Sequence, residues 1–127
     1  MPSILDSLRS GDVLKIMNFN LPRIGDKTKH IWAIYLGKDG CFDCPLFVYF
    51  CRTTSQVEDF QTGENRERHR YRFFHKGEFG FEDDCVMDFD EKPYSDITKE
   101  KFESFTIEIK GKVPPSVMQE IWAKCLK

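Results

Sequence analysis

The sequence predicts a mainly β, α+β domain in which about six short strands form a small curled sheet or partly open barrel, followed by a C-terminal helix. Three observations carry this. His30-Ile-Trp-Ala-Ile-Tyr-Leu36 is an unbroken β-branched and aromatic run. Phe105, Ile107 and Ile109 alternate with Thr106, Glu108 and Lys110, the period of a half-buried strand. After Pro114-Pro115-Ser116, Val117, Ile121 and Cys125 recur every four residues with Met118 and Trp122 beside them, which makes one apolar helical face. The 127 residues contain no internal repeat, low-complexity segment or linker, so residues 1–127 read as a single domain.

The elements follow in order. Residues 1–10 predict a short helical turn, with Leu5 and Leu8 on one side and Ser3 placed to cap it. Gly11-Asp12 breaks that turn and leads into the strand-like Val13–Ile16. The polar stretch from Asn18 to Lys29, with Pro22 and Gly25, reads as a long loop. Gly37-Lys-Asp-Gly40 carries turn residues that should end the His30–Leu36 strand. Leu46–Cys51 is the next strand and runs into Arg52-Thr-Thr-Ser-Gln56. Further strands are expected at Arg68–Phe74 and Asp84–Phe89, and a short helix at Ser95–Phe102, opened by Ser95 or Asp96.

Composition removes several classes. The chain is 40% hydrophobic and 14% aromatic, which excludes intrinsic disorder. Its longest apolar runs fall far short of the ~20 residues of a membrane span. Met1–Asp6 lacks the basic start and apolar run of a signal peptide. Five Cys (41, 44, 51, 85, 125), an odd number, are not spaced as a small secreted scaffold, so reduced thiols in a cytoplasmic protein are expected.

The net charge of −2 argues against a generally basic nucleic-acid binder, but the charges are segregated. Residues 66–76 hold five cations and one acid, a local +4, and residues 78–91 hold seven acids and no Lys or Arg, a local −7. Arg66, Arg68, Arg70 and Arg72 alternate. On a strand they would leave one face at roughly 7 Å intervals, close to the phosphate spacing of an extended nucleic-acid strand, with Tyr71 and Phe73 turned to the core. The competing expectation is that they pair with the acidic run across a hairpin.

Other candidates are weaker singly. Arg52, Thr53, Thr54, Ser55 and Gln56 lie at a strand end, where hydroxyls and an amide can bind phosphate oxygens or a developing oxyanion. His30 follows Lys29 at a strand start, and imidazole is the side chain suited to proton exchange near neutral pH. Asp88 and Asp90 alternate with Met87 and Phe89, so both carboxylates should point outward and could split into base and metal or structural roles. Cys41-Phe-Asp-Cys44 has C-x-x-C spacing but no second ligand pair, so no metal and no cofactor are expected. Cys85 follows three acids, which raise a thiol pKa rather than lower it.

In chain order, four segments resemble the PemK/MazF family of toxin-type endoribonucleases. They are Gly11-Asp12-Val13-Leu14; Lys29-His30-Ile-Trp-Ala-Ile-Tyr-Leu36; Leu46–Cys51 with Thr54-Ser55-Gln56; and Asp84–Glu91 with Gly111-Lys-Val-Pro114 and the closing helix. The resemblance implies a small SH3-like barrel, commonly a homodimer, that cuts single-stranded RNA without metal through attack of the RNA's own 2′-OH. It also implies an antitoxin partner, an acidic and partly disordered segment laid along the basic groove. Under it, Thr54 and Ser55 fall on a phosphate-contacting pair and Asp90 on a carboxylate base. This chain departs from the family at Lys29-His30, where many members have Arg-Pro, and at Asp88, where some have a catalytic Arg. Either His30 takes over proton transfer, with Lys29 or the Arg66–Arg72 row supplying charge, or the catalytic set is lost and an RNA- or protein-binding module remains. A third class is open too. Gly11–Ile16 followed by His30–Gly37 is similar to the start of NlpC-like and lecithin retinol acyltransferase-like thiol enzymes, with His30 as base to a later Cys.

Overall fold

The computed structural model describes residues 4–19, 29–41, 44–55, 57–61, 63–64, 67–91 and 93–124. The expected loop at 20–28, Ser3, Gln56, Arg66 and Cys125 lie outside these residues. So does the side chain of Lys29, whose backbone is described. The chain forms α1 (Ile4–Ser7), β1 (Asp12–Phe19), β2 (Lys29–Cys41), β3 (Cys44–Arg52), β4 (Tyr71–Phe74), β5 (Cys85–Asp88), β6 (Tyr94–Thr98), α2 (Lys99–Glu103), β7 (Ile107–Lys112) and α3 (Pro115–Lys124).

Five strands make an antiparallel sheet in the order β6-β3-β2-β1-β7, and β4 and β5 pair separately as a two-stranded sheet. The fold is thus mainly β within an α+β class. Among the described residues the large sheet does not close into a barrel, and β6 and β7 are its edges. No helix among them is long and apolar enough to cross a membrane.

The unbroken apolar run of β2 has a direct cause: both faces of the sheet are buried. On one face Leu14, Ile16, Ala33, Tyr35 and Phe50 pack against Leu5, Leu8 and the two aromatic residues of the α2 region, Phe102 and Phe105. On the other, Val13, Ile34, Leu36 and Cys51 pack against Phe74 and Met87 of the small sheet, Phe81, and Val117 and Ile121 of α3. Neighbouring residues of β1 and β2 therefore serve two cores.

Several expected boundaries are corrected. The Gly37–Gly40 segment is strand, because Lys38 and Asp39 pair with Val48 and Phe47, and the chain reverses only after Cys41. Ser95–Thr98 is strand rather than helix: Val48 pairs with Ile97, whose side chain enters the first core. The helix starts after Thr98, whose hydroxyl accepts from Lys101 N at 3.2 Å as a cap. The strand expected from Arg68 begins at Tyr71, because Asp90 draws the Arg70 backbone N–H into a 2.8 Å bond and leaves residues 67–69 in a turn and bend. Ile109 is 46% exposed rather than inward: it pairs with Leu14 but lies on β7, an edge strand of the large sheet.

A close backbone approach fixes the segment before β5. Gly80 has φ 96°, and a Cβ there would strike the Lys110 carbonyl. A Cβ on Gly111 would likewise strike the carbonyl of Phe79. The two glycines let the chain at 78–82 lie directly on β7, so that Phe81 and Glu82 are set against the large sheet. Gly80→Ala is expected to destabilise the protein by about 3 kcal/mol through left-handed strain plus backbone overlap, read as a lower midpoint in urea unfolding.

Candidate functional site

Where β3 ends, the large sheet is fastened to the small one. Thr54 and Val86 form an antiparallel bridge, with both N–H groups donating to the opposite carbonyl at 2.8 Å. One residue earlier, Thr53 donates from its N–H (2.8 Å) and its hydroxyl (3.2 Å) to the Trp32 carbonyl. The strand end is therefore held from both sides. Its side chains open on a cleft of about 380 Å³ between β1–β3 and the 81–85 segment, lined among others by Lys15, His30, Trp32, Arg52, Thr54, Ser55, Phe81 and Cys85.

One wall of the cleft is aromatic and cationic. Lys15 and Trp32 are cross-strand partners, the ammonium 5.7 Å from the ring centroid, and Trp32 packs on Phe81 at 5.7 Å. On the opposite lip, Glu82 ties Lys15 at 3.2 Å and Lys110 at 3.3 Å. Those two bonds, first Lys15 and then Lys110, hold the Glu82 carboxyl below its ordinary range. Asp83 and Asp84 continue the acidic lip. Arg52 differs from its neighbours: its Nε is buried and, among the described residues, has no hydrogen-bond partner. A buried, unsatisfied guanidinium N–H is costly unless an acceptor meets it, and an anion in the cleft would be one.

Of the residues singled out from sequence, His30, Arg52, Thr54 and Ser55 converge on this cleft. Asp90 and the described arginines of the alternating row are not among its lining. Arg70 holds Asp90 through Nε at 3.1 Å and Nη2 at 3.0 Å, and with the backbone bond from Arg70 N this keeps the Asp90 carboxyl low. Arg72 reaches Glu120 on α3 at 3.0 Å. The uniform outward row is thus replaced by separate ion pairs, one across the hairpin and one to the helix. Arg68 is exposed in the turn before β4.

Asp88 is also corrected. It is 4% exposed rather than outward, accepting from Asp90 N at 2.9 Å and lying 2.7 Å from His69 Nδ1. His69, Asp88 and Asp90 bring ligand-type atoms within 4.8 Å of one another. Their carboxylate oxygens already accept bonds from Arg70, His69 and the Asp90 backbone, which makes the group a knot that closes the hairpin.

Sequence reading missed Lys15, Trp32, Phe81 and Glu82, whereas Thr53 belonged to the segment it singled out and lines the cleft. Lys15 carried a signal, being the polar residue inside Val13–Ile16, whereas Trp32 and Phe81 were indistinguishable from core. Cys51 and Cys85 are buried. Burial, before the neighbouring acids Asp84 and Asp83, pushes the Cys85 thiol up to about 11. A thiol that stays protonated at neutral pH is a poor nucleophile, which weighs against the thiol-enzyme class. Iodoacetamide is expected to leave Cys85 of the folded protein unmodified at pH 8 and to label it only as the pH nears 11. Rapid labelling at pH 8, read by peptide mass spectrometry, would restore that class.

No protein-family model, curated protein or solved structure matched the chain, so its functional reading rests on the chemistry of the cleft.

Proposed function

We propose that the cleft binds the phosphodiester of single-stranded RNA and cleaves it without metal, by attack of the 2′-OH on the adjacent phosphorus. The observation that carries this reading is Arg52, whose buried and unpartnered Nε lines the same cleft as Thr54, Ser55 and His30. A guanidinium and two hydroxyls suit the non-bridging oxygens, whose charge grows as the fifth bond to phosphorus forms. His30 is the proton-transfer group on one lip, and a carboxylate of the other, Asp83 or Asp84, is the second. One takes the 2′-OH proton as the O–P bond forms. The other protonates the 5′-oxygen as the P–O5′ bond breaks, leaving a 2′,3′-cyclic phosphate. This is the chemistry of PemK/MazF-type endoribonucleases, and a homodimer and an antitoxin partner belong to the same proposal.

One observation favours a second reading. Asp90, the carboxylate expected to be the base, lies outside the cleft lining and is held by Arg70, as it would be in a module that binds RNA without cutting it.

The two readings separate in a cleavage assay on unstructured RNA in EDTA. The nuclease reading expects cyclic-phosphate ends, a loss of about 10²–10⁴-fold in His30→Ala and about 10²–10³-fold in Arg52→Ala. Asp90→Asn, outside the cleft, should leave the chemical step in place. Binding that depends on Arg52 without any product would establish the module instead. Cleavage that EDTA abolishes, or that Arg52→Ala leaves intact, would sink the proposed mechanism.

A further inference from the structure

His69, Tyr71, Phe73 and His75 alternate with Arg68, Arg70, Arg72 and Phe74. The sequence leaves open which set faces the core, and the structure reverses the expected answer. Phe74 is buried against Phe81 at 4.9 Å and Arg72 is drawn to Glu120 of α3, so the even-numbered side of β4 is the inner one. The odd-numbered rings are left outside. Tyr71 is 45% exposed, Phe73 and His69 are half-buried, and His75 is exposed and in ring contact with Phe73 at 4.7 Å. A 3-10 turn, Val57–Phe60, flanks this row and places the Phe60 ring 5.0 Å from Tyr71. Tyr71, Phe73, Val57 and Phe60 line a groove of about 420 Å³ with Gln61 and Val86.

We propose that this face is a stacking platform for the bases of the same single-stranded RNA whose phosphate lies beside Arg52. It rests on the RNA reading above and extends it from one phosphate to a strand. Continuity is the first support. Val86 lines the groove while its backbone bridges Thr54, and Thr54 and Cys85 line the cleft, so a single antiparallel bridge separates the two depressions. Ring chemistry is the second. The phenol of Tyr71 and the phenyl of Phe73, with the His75 ring against the latter, offer flat faces to bases of any identity, and Tyr71 and Gln61 can add polar contacts at base edges. Spacing is the third. Tyr71 and Phe73, alternate residues of β4, rise by about 6.7 Å, close to the separation of nucleotides in an extended strand, so that these two rings receive successive bases.

The test is fluorescence anisotropy with an uncleavable 2′-O-methyl oligonucleotide of about ten residues, within the span of known single-strand sites, and an abasic strand of equal length. Tyr71→Ala should weaken the oligonucleotide about tenfold or more, and Tyr71→Trp, which keeps a stacking face, should restore it. The abasic strand should bind the wild type about as weakly as the oligonucleotide binds Tyr71→Ala. If Tyr71→Ala binds normally while Arg52→Ala does not, the platform is overturned and the cleft stands. Loss in Tyr71→Ala but not in Arg52→Ala supports the platform and overturns the cleft as phosphate site. A wild type that binds neither strand and instead dimerises in a Tyr71-dependent way, seen by sedimentation, overturns both by assigning the face to protein.

Discussion

The Thr54–Val86 bridge is the constraint on which the functional surface depends. Its two hydrogen bonds are each worth only about 1 kcal/mol net, but they join sheets that otherwise share no ladder among the described residues. Val86 is fully buried, so breaking the bridge would also strand backbone groups away from water. Through it the end of β3 and the start of β5 become one rigid element. The hydroxyls after β3 and the aromatic row of β4 are thereby held at a fixed separation, although sequence places them far apart. A cleft and a groove that share one wall follow from that single join.

The close approach of Gly80 and Gly111 does the same work on the opposite side. It sets Phe81 against Trp32 and brings Glu82 within reach of both Lys15 and Lys110. Neither glycine was distinguishable in the sequence from an ordinary loop or strand-end glycine. Their role exists only once the turn at Glu78–Gly80 and the edge strand β7 are stacked, which no local pattern encodes.

Legibility varied with the kind of information each residue carries. The strand in His30–Leu36 was readable because residues buried on both faces must be apolar at every position. His30, Arg52, Thr54 and Ser55 were readable as site candidates because polar, chemically able side chains stand out at strand ends. Trp32 and Phe81 were not, since an aromatic ring lining a cleft and one filling a core look alike in sequence. The alternation at 68–75 showed two faces without showing which was inner. Phe74 and the distant Glu120 decided that, and they did so against the expectation that Tyr71 and Phe73 are core. Ser95–Thr98 went to strand for the same reason: Val48 and the first core offered Ile97 more burial than a helical turn could.

The segregated charges now have a physical account. The basic and acidic runs partly neutralise each other through Arg70–Asp90, while Arg72 turns to α3 and Glu82 turns to Lys15 and Lys110. What remains at the cleft is close to balanced, with Lys15 and Arg52 facing Glu82, Asp83 and Asp84. A cleft of that kind cannot gather a polyanion by field strength alone, because each cation but Arg52 already has an acidic neighbour at bonding distance or is screened by one. Under the RNA proposal it recognises one phosphate through directed donors. Affinity for a longer strand then comes, under the same proposal, from contacts indifferent to charge, which it assigns to Tyr71 and Phe73 of β4.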